Sequence, residues 1–202
     1  MKDGRRKHEN DKSKRLAKSL SANQKRSRAG RARKSPVRAQ PGGDAGRTLA
    51  DERDLPPFFR LVGALRSENI RFQLIGMSAA LLQGVPVVTH DVDLWIDLPP
   101  RQYVSAVKAA LRDGAKMIRN TVVELSDGML VNFIYEVAGV GDFTAELRKA
   151  RKLKFHGCEV PVMPLESIRK SKAAVMRDKD AAHIHYIDET LRLRKKATGG
   201  DQ

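Results

Sequence analysis

The alternation of apolar and polar positions predicts a folded domain from about residue 55 onward. In LPPFFRLVGALRSEN, a proline precedes apolar residues at helical spacing, which indicates an amphipathic helix. The segment IRFQLIG is typical of a strand that ends in glycine, and MSAALLQG of a short helix closed by Gly84. DVDLWIDL then predicts a strand that two prolines stop.

The second half of this domain predicts helices that alternate with hairpins. RQYVSAVKAALRDG and DFTAELRKA indicate helices, whereas TVVELSDGMLVNFIYE indicates a hairpin with its turn at Asp127 and Gly128. KLKFHGCEVPVM predicts a second hairpin that turns near Gly157, and LESIRKSKAAVMRDKDAAHIHYIDETLRLRKK predicts one or two helices. We therefore expect an α/β (α+β) fold, with a mixed β-sheet flanked by helices.

The basic charge of the chain is concentrated at its start. Residues 1–50 contain 16 Lys or Arg and 4 Asp or Glu, and so carry +12 of the net charge of +15. They contain no aromatic residue and few branched aliphatic ones, so they cannot bury enough apolar surface to offset chain entropy. We expect a disordered basic arm over 1–50, the domain over 51–196 and a flexible tail over 197–202.

A basic arm of this kind has two interpretations. Clustered Lys and Arg displace counterions from phosphate backbones, which favours weak, salt-sensitive binding of RNA or DNA. The alternative is a solubilising arm with incidental affinity for polyanions.

The remaining composition indicates a cytoplasmic protein. No apolar stretch approaches the roughly 20 residues that span a bilayer, so no membrane association is expected. Cys158 is the only cysteine, which excludes an intramolecular disulfide and favours a reducing compartment.

Two aspartates interrupt the apolar strand DVDLWIDL. Because side chains alternate along a strand, Asp91 and Asp93 are expected on one face, and Val92 and Leu94 on the other. Two adjacent carboxylates repel one another, and a divalent cation such as Mg²⁺ removes that conflict. The alternative is a pair of surface carboxylates at a strand end.

Small residues upstream strengthen the first interpretation. Gly76 to Ala80 form a turn that opens a helix, where backbone N–H groups can approach a phosphate closely. The order is then strand, Gly76, Met77, Ser78, helix, Gly84, Thr89 and the two aspartates.

This order resembles the nucleotidyltransferase superfamily that includes DNA polymerase β, and in particular its small prokaryotic members. These comprise minimal nucleotidyltransferases and the toxin-type enzymes of abortive-infection and toxin–antitoxin systems. The resemblance lies in a Gly-Gly or Gly-Ser turn followed by T-x-D-h-D, where h is apolar. Gly76 matches the turn, Met77 replaces its second small residue, and Ser78 supplies the hydroxyl one position later. Thr89, Asp91 and Asp93 match the second element in full.

The resemblance implies metal-assisted transfer of a nucleoside monophosphate from a nucleoside triphosphate (NTP) to an acceptor hydroxyl in RNA, a protein or a small molecule. It implies Mg²⁺ or Mn²⁺ held by three carboxylates, of which Asp91 and Asp93 would be two. At the third position, on the strand MLVNFIYE, the chain has Asn132 instead of aspartate. An asparagine offers a neutral oxygen to a metal but cannot act as a base. Glu124 and Glu136 are possible substitutes, with Glu124 the candidate third metal ligand.

The resemblance extends to the segment SKAAVMRDKD near the C-terminus. It implies that Lys172 and Lys179 reach triphosphate oxygens and that Asp180 orients one of these lysines. A solvated helix face with local charge pairs is the alternative for Lys179 and Asp180. Trp95, the only tryptophan, could stack on a base, but core packing is favoured.

Two functions therefore remain open. One is an active nucleotidyltransferase that uses an NTP, with RNA, DNA or a cognate antitoxin as possible partners. The other is a weak or inactive module on the same fold that binds nucleotide or RNA. Asn132 is the feature that separates them.

Overall fold

The computed structural model describes residues 54–99 and 102–198. The predicted arm, residues 1–50, and the last four residues of the chain lie outside this described part. In chain order the elements are α1 (Pro57–Ser67), β1 (Phe72–Ile75), α2 (Gly76–Leu82), β2 (Asp91–Ile96), α3 (Val104–Arg112), β3 (Lys116–Arg119), β4 (Val122–Glu124), β5 (Leu130–Ile134), α4 (Phe143–Lys149), β6 (Arg151–Phe155), β7 (Cys158–Val162), α5 (Leu165–Val175) and α6 (Asp180–Thr198).

The helices and hairpins expected from the sequence are present, with one strand added. The turns lie where the glycines predicted them, and Gly84, Gly128 and Gly157 all adopt positive φ. Strand β3 was not predicted, because its residues KMIR show no alternation and all four are exposed. The C-terminal segment forms two helices, and α6 continues to Thr198, two residues past the predicted domain end.

The seven strands form one mixed sheet in the order β3-β4-β5-β2-β1-β7-β6. Strand β2 pairs in parallel with β5, and β1 in parallel with β7. The four other pairs are antiparallel. The predicted fold class, a mixed sheet with flanking helices, is confirmed.

The register of β1 and β2 separates the two faces of the sheet. Leu74 pairs with Leu94 on one face, and α1 packs there, since the Arg66 guanidinium lies over the Phe72 ring. On the other face, Trp95 contacts Phe143 of α4 edge to face, with ring centroids 5.2 Å apart. This second face also carries Asp91 and Asp93, because they alternate with the buried residues of β2.

The two C-terminal helices pack against each other and α5 contacts α2. Met176 ends α5 in the left-handed conformation, with φ of 48°, and its N–H donates to the Lys172 carbonyl. This turn allows α6 to begin at Asp180, close to the end of α5. None of the helices in the described ranges has the length and apolar character needed to cross a bilayer.

Candidate functional site

Strand β2 places its two aspartates as alternation predicts. Val92 and Leu94 are 5% and 0% exposed, whereas Asp91 is exposed and Asp93 is half-buried. The apolar pair therefore anchors the strand in the core, and the carboxylates stay on the opposite face.

Asn132 lies beside Asp93 because β2 and β5 are parallel and in register at this pair. The Asn132 amide donates from Nδ2 to Asp93 Oδ1 at 3.3 Å. Its Oδ1 accepts from the Thr121 hydroxyl at 3.3 Å. Asn132 thus occupies the position expected for a third carboxylate and acts as a hydrogen-bond donor to Asp93.

Gly76 is required for the close approach of the backbone to Asp93. Its φ is +69°, and a Cβ at this position would lie 2.4 Å from Asp93 Oδ2. A side chain at Gly76 would therefore be strained and would also displace the carboxylate. Gly76, directly after β1, therefore leaves the space that the Asp93 carboxylate occupies.

These groups open into a cavity of about 360 Å³ between the sheet and α5. Ile75, Gly76, Asp93 and Asn132 line it on the sheet side. Helix α5 contributes Ile168, Ser171, Lys172 and Val175, which share one face because they are three or four residues apart. The volume lies in the range of small-molecule sites.

The burial of Asp93 opposes its ionisation. Burial raises the pKa of the Asp93 carboxyl above its usual 3.8, and the charge of Asp91 raises it further. The Asn132 hydrogen bond and the positive charges of Lys172 and Arg177 lower this pKa only in part. A cation bound between the aspartates would relieve this unfavourable charge.

Lys172, in the cavity wall, forms an ion pair with the buried Asp180. Its Nζ lies 2.8 Å from Asp180 Oδ1, and Asp180 is 1% exposed. Asp180 Oδ2 also accepts the Arg177 backbone N–H at 3.0 Å. Burial alone would raise the pKa of Asp180, but these two hydrogen bonds, together with the positive charges of Lys172 and Arg177, outweigh it and hold the pKa below 3.8. Asp180 therefore orients Lys172, the first of its two predicted partners.

Several predicted residues lie away from the cavity lining. Met77 and Ser78 are buried in α2, and the Ser78 hydroxyl donates to the Ile75 carbonyl at 3.2 Å. The Thr89 hydroxyl donates to the Asp91 carbonyl at 3.2 Å, in the loop before β2. Lys179 is exposed to solvent. The structure thus does not bring these four side chains into the cavity. Asp91 shares a strand face with Asp93 but does not line the cavity either.

Glu124 is not brought next to the aspartates either. It pairs across the sheet with Leu130, which in turn pairs with Asp91, so two strand spacings of roughly 4.8 Å separate Glu124 from Asp91. Across the described ranges, no three or more His, Cys, Asp or Glu residues are grouped so that they could hold a metal ion. The two aspartates thus have an amide neighbour and no third carboxylate.

Trp95 belongs to the core, as the sequence favoured. It is 3% exposed, and its Nε1 donates to the Tyr135 carbonyl at 2.7 Å. Other residues of the cavity were not predicted from the sequence, in particular Ser171, Val175 and Arg177. Val175 could have been predicted from its helical spacing from Lys172, and Ser171 and Arg177 from their closeness to Lys172 in the chain.

Solved structures with similar folds include an antibiotic-resistance factor, an adenylyltransferase and a nucleotidyltransferase-like protein. The antibiotic-resistance factor ANT(2'')-Ia is 16% identical, with 71% of this chain and 90% of that chain covered and a TM-score of 0.48. The lincosamide antibiotic adenylyltransferase LnuA is 10% identical, with coverages of 66% and 96% and a TM-score of 0.43. An antigenic nucleotidyltransferase-like protein from Paracoccidioides brasiliensis is 22% identical, with coverages of 68% and 75% and a TM-score of 0.45.

No protein-family model matches the chain, and no curated protein matches it. The three structures named above have TM-scores below 0.5. We therefore base the function on the side chains of the cavity itself.

Proposed function

We propose that this chain is a nucleotidyltransferase, which binds an NTP with a divalent cation and transfers its nucleoside monophosphate to an acceptor hydroxyl. One observation carries the proposal: Asp93, Asn132 and the Gly76 backbone meet in a cavity whose opposite wall presents Lys172. A carboxylate and a lysine ammonium that face one space are groups that a metal–triphosphate complex requires.

The acidic residues fit one divalent cation. Asp91 and Asp93 lie on one strand face, and the raised pKa of Asp93 marks a carboxylate that gains from a cation. Two carboxylates leave coordination positions for water and phosphate oxygens, an arrangement that suits Mg²⁺ or Mn²⁺. When bound, the ion would neutralise phosphate charge and orient the NTP.

The other residues of the site bind and orient. Lys172, held by Asp180, supplies a fixed positive charge toward the triphosphate, and Arg177 adds a second one at the cavity wall. Asn132 fixes the Asp93 carboxylate but has no group that accepts a proton from the acceptor. We therefore expect slow transfer.

The alternative function is a binding module that holds nucleotide or RNA without turnover. Asn132 stands at the third position, and no third carboxylate joins the two aspartates in a metal-binding group among the described residues. Both observations favour this alternative. The transferase and a nucleotide-binding module both require NTP binding that depends on Asp93, and only the transferase requires transfer.

The acceptor and the partners of this transfer are proposed from the sequence alone. The basic arm, 1–50, would give salt-dependent affinity for RNA or DNA acceptors, and a toxin-type role would add a cognate antitoxin protein. A cytoplasmic setting, indicated by the single cysteine, is consistent with both.

The test is transfer of label from each α-³²P-labelled NTP, with Mg²⁺ or Mn²⁺ and a total RNA and protein extract. We expect labelled acceptor with the full chain, and none with Asp91→Asn or Asp93→Asn. Asp127→Asn, the same change in an exposed turn, is the matched control and should retain transfer. If label is never transferred but NTP binding depends on Asp93, the binding module is correct. If no NTP binds, the transferase and the nucleotide-binding module both fail, and binding of labelled RNA then tests the RNA-binding module.

A further inference from the structure

The cavity extends along β5 away from Asp93. Asn132 is paired with Asp93, and Ile134, two residues further, is paired with Trp95. Strand β5 ends at Ile134, so Glu136 lies in the loop that follows it. The three residues Asn132, Ile134 and Glu136 all line the cavity.

The two ends of this cavity differ in chemistry. Lys172 and Arg177 line the cavity with Asp93, and their positive charges act on its carboxyl. Toward Glu136 the lining is mainly apolar, with Ile134, Val137 and Ala138. A phosphorylated ligand with its charge at Asp93 therefore directs its uncharged part toward Glu136.

The loop that carries Glu136 is packed tightly against α5. A Cβ at Gly139 would lie 2.5 Å from the Ala174 Cβ and 2.8 Å from the Lys170 carbonyl oxygen. This contact fixes the loop backbone relative to the helix that forms the opposite wall. The position of Glu136 is thus set by the fold.

Glu136 is a carboxylate without a partner in the part of the chain that the structure describes. It is exposed at the cavity and makes no hydrogen bond or ion pair with any described residue. Asp180, by contrast, is buried and paired with Lys172. An ionised carboxylate only accepts hydrogen bonds, and its two oxygens match two adjacent donors.

We propose that the apolar end of the cavity holds a guanine base and that Glu136 accepts hydrogen bonds from its N1–H and 2-amino groups. Among the four common bases, only guanine presents two adjacent donors on this edge. Adenine presents an acceptor beside its single amino group, and cytosine and uracil each present one donor. The inference rests on the proposed NTP binding and specifies GTP as the nucleotide.

The experiment measures binding of GTP, ATP, CTP, UTP and ITP to the full chain with Mg²⁺, by calorimetry. ITP lacks only the 2-amino group. We expect GTP to bind the unmodified chain about tenfold more tightly than ITP or ATP, because a hydrogen bond to a charged group is lost. In Glu136→Gln the preference for GTP over ITP should fall at least severalfold.

The matched control is Glu159→Gln, the same change on β7 outside the cavity lining, which should leave both affinities unchanged. Thermal unfolding of each variant checks its fold, and the GTP-to-ITP ratio of the unmodified chain tests the base contact without any variant. Equal affinities for GTP, ITP and ATP would overturn the guanine inference but leave the proposed function intact. Failure of all five nucleotides to bind would refute the proposed function itself.

Discussion

Replacing Gly76 by alanine tests the contact on which the candidate site depends. The added Cβ would lie 2.4 Å from Asp93 Oδ2, and the backbone φ of +69° is unfavourable for alanine. The substitution therefore imposes a conformational cost and a steric cost. Only the steric cost involves the site.

The two costs can be estimated separately. Alanine in the left-handed region costs roughly 1–2 kcal/mol. Relieving the overlap requires the Asp93 side chain to leave its rotamer, at about 1 kcal/mol, and this movement also disturbs the hydrogen bond from Asn132. We expect Gly76→Ala to lower the free energy of unfolding by roughly 2–3 kcal/mol in total.

Gly84→Ala is the matched control. Gly84 has φ of +91°, and nothing lies within 4 Å of the position of its Cβ. It should therefore show only the conformational cost of roughly 1–2 kcal/mol and no change in NTP binding. Urea unfolding measures the stabilities, and calorimetry with Mg²⁺–NTP measures the binding, which should fall at least tenfold in Gly76→Ala alone.

A double-mutant cycle with Asp93→Ala isolates the contact. Once the Asp93 carboxylate is removed, Gly76→Ala should cost no more than Gly84→Ala, which gives a coupling free energy of about 1 kcal/mol. If the two glycine variants lose equal stability, and the cost of Gly76→Ala is the same with and without Asp93, the proposed contact is wrong.

Four further predictions concern charge. Asn132→Asp should lower the melting temperature in the absence of metal, because it places a second carboxylate beside that of Asp93. Mn²⁺ should reverse this loss and raise the nucleotide-transfer activity above that of the unmodified chain. Asp93→Asn should remove a pH-dependent loss of stability. Because the folded pKa of Asp93 is raised above 3.8, the unmodified chain loses stability as the pH rises from about 4 through that folded pKa. Urea unfolding should therefore show that the variant gains stability relative to the unmodified chain over this pH window. Lys172→Met should cost about 3 kcal/mol in urea unfolding by removing the closest cation from the buried Asp180 carboxylate, whereas Lys179→Met, at an exposed position, should cost almost nothing. Removing residues 1–50 should leave the melting temperature nearly unchanged and flatten the salt dependence of RNA binding; a loss of many degrees would contradict the expected arm.

The sequence by itself determined the local features of the domain. Helical spacing and strand alternation predicted the helices and both hairpins, and glycines marked the turns, because these signals act over a few residues. The same alternation correctly separated Asp91 and Asp93 from the buried Val92 and Leu94. Strand β3 was not predicted, because the residues of this exposed edge strand show no alternation of apolar and polar positions.

Only the tertiary structure decided which distant side chains meet. The parallel register of β2 and β5 turned Asn132 toward Asp93, and a slip of one residue would have turned it to the other face. Strand order placed Glu124 two strands from Asp91, and the left-handed turn at Met176 allowed Asp180 to reach Lys172. Register, strand order and helix packing depend on contacts between residues far apart in the chain, which a local pattern of apolar and polar positions does not encode.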